Sequence, residues 1–146
     1  MKINKDLIIE DTNTSLNTVA DYINNPYDLL YSSSTAQVGN ISLSANATNY
    51  KFIVIEWGAL QYTSNWKIQQ TIIVSPVSGR TYNFSNCLYD HAGNKQIYVS
   101  WTNYTINGNI ISVPRNESNQ AGTVGASNSY TASAPCWGIL RVFGWK

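Results

Sequence analysis

The stretch Trp137-Gly-Ile-Leu-Arg-Val-Phe-Gly-Trp145-Lys146 closes the chain. Read as an extended segment, it puts Trp137, Ile139, Arg141, Phe143 and Trp145 on one face. Gly138, Leu140, Val142 and Gly144 fall on the other, with the period of two that marks a β-strand. A terminal segment frays unless something holds it. This one is therefore expected to be stitched into a sheet or an oligomer.

Working back from it, the same signal recurs. Tyr50-Lys-Phe-Ile-Val-Ile-Glu-Trp57 is nearly all β-formers and predicts a central strand buried on both faces. Lys67–Val74 alternates through Ile68, Gln70, Ile72 and Val74, and Pro76 and Gly79 mark its end. Arg80–Tyr89, Gln96–Ile106 and Asn109–Val113 follow. Asp90-His-Ala-Gly-Asn94 and Asn107-Gly108 supply turn chemistry between them, the second being a strong hairpin signal. Asp28–Ser33 and Gly39–Ser44 flank a polar run and read as one further hairpin. About eight short strands with regular turns predict an all-β fold, an antiparallel sandwich or jelly-roll-like knob, over residues 26–146.

The two ends of this pattern differ. Residues 1–25 are expected to form a small connector. It would hold a short strand within Lys2–Glu10, then a helix on which Leu16, Val19, Ala20 and Ile23 share a face, stopped before Pro26. Arg115–Pro135 is small, polar and almost free of apolar side chains, and reads as a long loop, functional or mobile.

Composition narrows the function. Charged residues make up 12% of the 146 residues, about half the usual share of roughly 25%. Asn, Ser and Thr together supply 46 residues, with ten Tyr and five Trp. The net charge of +1, from basic residues scattered along the chain, argues against nucleic acid. No apolar run approaches the ~18 residues of a membrane span. The polar start lacks a signal-peptide core, so Cys87 and Cys136 are expected as reduced thiols.

Catalytic chemistry is poorly represented. His91 is the single histidine and lies in a turn beside Asp90. No nucleophile elbow, zinc spacing or phosphate loop occurs, so no cofactor or metal is expected. Glu56 stands in an apolar strand, where an acid needs a partner. Arg141 or Lys67 is the expected one, against the reading of Glu56 as half of a glycosidase pair. Trp57, Trp101 and Phe143 read as core. Tyr62 and Trp66 flank the polar Thr63-Ser-Asn65, and large aromatics among Asn and Asp suit a neutral sugar: a flat face to stack on, amides and carboxylates to bind hydroxyls. The candidate ligand site is thus Tyr62, Asn65, Trp66, Asp90, His91 and Asn94, on loops at one end of the sandwich.

The segment Leu30–Trp57, with its Leu-Tyr, polar turn, Gly39-Asn-Ile-Ser-Leu-Ser44 and Asn49-Tyr-Lys-Phe-Ile-Val-Ile55, resembles the start of C-terminal knob domains in tail-fibre and receptor-binding proteins of phages infecting Gram-positive bacteria. Ile139-Leu-Arg-Val-Phe-Gly-Trp145 is similar to their final strand. The resemblance covers roughly Leu29–Lys146, while Gln61–Gln96 departs from it and no binding motif carries over. It implies a homotrimer that attaches to bacterial surface saccharide, joined to the remaining fibre or baseplate protein at the tail tip of the virion. A glycan-cleaving depolymerase domain and a purely structural fibre segment are the alternatives.

Overall fold

In a computed structural model, the structure describes residues 8–9, 14–15, 26–60, 68–90, 96–115, 119–124, 130–133 and 137–146. It is an all-β sandwich. A four-stranded antiparallel sheet has the order β3 (Tyr27–Gln37), β12 (Trp137–Trp145), β5 (Phe52–Ala59), β6 (Gln69–Val74). A six-stranded antiparallel sheet is built on β8 (Gln96–Asn107). Along one edge β8 pairs β7 (Arg80–Asp90). Along the other it pairs first β9 (Ile110–Val113) and then β10 (Asn119–Val124). β4 (Gly39–Ser42) adds to β9, and β11 (Tyr130–Ser133) to β10. Separately, β1 (Ile8–Ile9) pairs β2 (Thr14–Ser15). The expected helix over 16–23 and the cysteine chemistry of Cys136 lie outside the described residues.

The core between the sheets is aromatic and β-branched. Ile53, Ile55, Trp57, Ile139 and Val142 come from one sheet, and Ile41, Phe84, Tyr104, Ile106, Ile111 and Val113 from the other. Trp57 joins the two layers, stacking on Phe84 at 4.9 Å and meeting Tyr104 edge-on at 4.9 Å between ring centroids. Its indole N–H donates to Thr71 Oγ1 at 3.1 Å, which satisfies the polar atom of a fully buried ring. β5 is central, flanked by β12 and β6, as its unbroken apolar run predicts.

Four expectations are corrected. First, β3 and β4 are not a hairpin: β3 pairs β12 in one sheet and β4 pairs β9 in the other, so the chain crosses between layers at Val38. The polar run that reads as a turn instead bulges. Register passes from Arg141↔Ser32 to Ile139↔Gln37, leaving residues 33–36 looped out against Leu140. Second, Arg115–Pro135 is not one long loop: β10 and β11 form an antiparallel pair within it that extends the six-stranded sheet. Its small residues lack the apolar alternation that would betray a strand, yet backbone pairing needs no side chain. Third, the turn after β8 centres on Gly108–Asn109, because Asn107 still pairs Ile110.

The fourth concerns the final strand. β12 pairs Ile139 with Trp57 but Arg141 with Glu56, so Leu140 is an extra residue opposite none. A bulge of one residue reverses the alternation beyond it. Trp137 and Ile139 therefore point into the core, and so does Val142, while Arg141, Phe143 and Trp145 point outward. The five residues that share one face on paper are divided between two.

Candidate functional site

The outward face of the six-stranded sheet is a field of hydroxyls and amides. Cross-strand register lines up Thr81 on β7, Thr105 on β8, Ser112 on β9 and Asn40 on β4. Thr81 and Thr105 hydroxyls are 3.1 Å apart, and Ser112 Oγ donates to Asn40 Oδ1 at 2.8 Å. One step along, Asn83 Nδ2 donates to Asn103 Oδ1 at 2.9 Å. These contacts hold the side chains upright and leave further lone pairs and N–H groups for a ligand.

The backbone shapes a depression in this field. β9 pairs β8 over Thr105–Asn107 and β10 pairs it over Ile97–Thr102, so Asn103 and Tyr104 fall between the two ladders. The chain leaves the sheet there, at Pro114 and Arg115. The result is an open hollow of about 450 Å³, lined among others by Asn103, Thr105, Ser112, Val113, Pro114 and Arg115. Arg115 lies across the start of β4, with Nη2 donating to Val38 O at 3.2 Å. A Cβ on Gly39 would come within 3.3 Å of its guanidinium, so glycine is what lets the side chain approach. Among the described residues no carboxylate lines the hollow, and Arg115 supplies a positive charge there.

Trp101 belongs to this face. Thr102 and Tyr104 of β8 point inward and are buried, so Trp101, Asn103 and Thr105 point outward by the strand's alternation. Trp101 is half-buried and pairs Ser85 on one side and Gln120 on the other. It stands roughly 7 Å along the strand from Asn103. The expectation that Trp101 is core is therefore corrected. The signal was in the sequence: Trp101, Asn103 and Thr105 share a parity on a strand whose other parity is Thr102, Tyr104 and Ile106.

The residues expected to bind from sequence fare differently. Tyr62, Asn65, Trp66, His91 and Asn94 lie outside the described residues, in the connections between β5 and β6 and between β7 and β8. Asp90 closes β7, paired with Gln96. Glu56 has the expected partner, Arg141, whose Nε donates to Glu56 Oε2, and Gln70 Nε2 donates to Glu56 Oε1 at 2.9 Å. Both carboxylate oxygens are thus engaged within the sheet. Among the described residues no group of three His, Cys, Asp or Glu could hold a metal ion, and no helix is long and apolar enough to cross a membrane. No protein-family model, curated protein or solved structure matches the chain.

Proposed function

We propose that this chain is a phage tail-fibre-type receptor-binding knob that attaches, as a homotrimer, to saccharide on the bacterial surface, using the outward face of its six-stranded sheet. The sequence likeness of Leu30–Trp57 and Ile139–Trp145 to such knobs supports the biological setting, at the tail tip beside the remaining fibre. One observation carries the chemistry: the row of hydroxyls and amides around the hollow, with the guanidinium of Arg115 in its lining and Trp101 two residues along β8 from Asn103 on the same face. A sugar ring stacks its apolar face on indole and exchanges hydrogen bonds with amide and hydroxyl groups. Arg115 adds preference for a saccharide bearing phosphate or carboxylate, which a guanidinium holds with paired N–H donors.

Glycan-array and whole-cell binding with the purified chain tests this. Trp101→Ala is expected to weaken binding about tenfold, the equivalent of about 1.4 kcal/mol for a stacking contact. Arg115→Ala should weaken acidic glycans selectively. Unchanged binding by a well-folded Trp101→Ala variant, together with loss on Trp66→Ala, moves the site to the connection between β5 and β6.

A further inference from the structure

The opposite face of the molecule has the wrong polarity for solvent. Register across the four-stranded sheet defines three outward rows. The first is Tyr27, Trp145, Phe52 and Val74. The second is Leu29, Phe143, Val54 and Ile72. The third is Ser32, Arg141, Glu56 and Gln70. The first two rows contain no polar residue other than the tyrosine. Antiparallel sheets with one face in water normally alternate apolar-in and polar-out, and β6 follows this only in part. Ile73 points in and is buried and Gln70 points out, but Ile72 and Val74 also point out, with 63% and 73% of their surface exposed. Tyr27 and Leu29 are about half exposed as well. The rings form one connected array: Phe52 stacks on Trp145 at 5.2 Å, and Tyr27 meets Trp145 at 5.0 Å and Phe143 at 5.5 Å.

We infer that this face is where copies of the chain join. Three features favour a second copy over an unlike partner. Two of the cations near it are already paired inside the subunit, Arg141 with Glu56 and Lys146 with Asp28 at 3.0 Å, so neither asks a partner for a complementary charge. A net charge of +1 opposes self-association little. The surface also complements itself. Rings dominate at the β3 and β12 side and aliphatic side chains at the β6 side, so the ring-bearing side of one copy can seat the Ile72 and Val74 side of the next. In extent, four strands about 4.8 Å apart and three rows about 7 Å apart span roughly 400 Å² in projection. That is about half of the roughly 800 Å² per partner of a stable interface, so the face would be the centre of a contact completed by neighbouring surface.

This rests on the trimeric part of the reading above, and its test involves no saccharide: a monomeric chain removes the homotrimer and leaves saccharide binding to be decided separately, while an assembly that ignores the charged variants overturns this face alone. Analytical ultracentrifugation of the full chain over a concentration series should show an assembly larger than the 16.2 kDa chain. Ile72→Glu and Val74→Lys, each at an exposed position, should raise the dissociation constant at least about tenfold while near-UV circular dichroism stays native. If one variant does not fold, the other carries the test, and Ile72→Leu should retain the assembly. A monomeric wild-type chain at high concentration overturns the inference, including the case in which the chain's own residues 1–25 cover the face. So does an assembly that both charged variants leave intact.

Discussion

At the scale of single residues, two tyrosines show how context sets what a phenol does. Tyr104 is 1% exposed at the centre of the core, and among the described residues its hydroxyl has no hydrogen-bond partner. Burial, with Tyr82 beside it, pushes its ionisation well above the usual tyrosine range. A buried polar atom without a partner forfeits its hydration for nothing in return. Tyr104→Phe is therefore expected to raise stability by about 1 kcal/mol in urea unfolding. Tyr50 is different: its hydroxyl donates to Asp28 Oδ2 at 2.8 Å. Burial first, and then that hydrogen bond, push Tyr50 up to about 12, while the hydrogen bond from Tyr50, followed by that from Lys146, holds Asp28 below its ordinary 3.8. The signs give a window. The Tyr50 contribution is complete below pH 10 and is lost as pH rises through about 12, and the Asp28 contribution is present above about pH 4 and is lost on further acidification. Urea midpoints measured against pH should be level between these limits and fall on both sides, and Tyr50→Phe should reduce both falls.

At the scale of the element, the final strand depends on positions where it has no side chain. Gly144 points inward between Val142 and the end of the sheet, and a Cβ there would lie 2.6 Å from Tyr50 Cδ1. The Tyr50 ring covers the glycine and from there reaches Asp28. Gly144→Ala must displace the ring and with it the bond that ties β3 to the turn before β5. A cost of about 1–3 kcal/mol is expected, as for an overpacked core, read as a lower urea midpoint together with a Tyr50 that titrates closer to pH 10. The register of the same strand explains why its sequence misleads. Period two was legible over Trp137–Trp145, and so was the existence of the strand. The bulge at Leu140 was not, because a bulge is a property of the pair: it exists only where Trp57 and Glu56 on β5 accept three residues of β12 opposite two. The polar run in β3 failed in the same way. Ser32–Thr35 has the composition of a turn, and its bulge is fixed by β12, over a hundred residues away in sequence.

At the scale of the molecule, the two sheets give the sandwich two unlike outer faces. Polar side chains and a hollow cover one, rings and aliphatic groups the other, and the shared core keeps them apart. A module that binds with one face and assembles with the other presents several copies of its site at once, and multivalent contact gains affinity with no new contacts at any single site. The low net charge of the chain is compatible with both proposed roles, since it opposes self-association little and leaves any preference for an acidic saccharide to the local charge of Arg115.

The amino-acid sequence by itself determined the all-β class, the place of nearly every long strand, a buried central strand over Tyr50–Trp57 and the need of Glu56 for a cationic partner, with Arg141 and Lys67 as the two choices. These follow from local periodicity and from the cost of an unpaired acid in an apolar strand. It also held the polar surface of β7 and β8, in the parity of Thr81, Asn83, Asn103 and Thr105. Tertiary structure decided which parity faces outward, and this is why Trp101 and Phe143 leave the core and why Trp145, Ile72 and Val74 make a surface. It also decided the hollow, which exists because two strands share one edge of β8 and the chain departs between them. Alternation along a strand defines two faces but does not label them; only the neighbouring strand, with its bulges, and the opposite sheet assign one to the core and the other to the world outside.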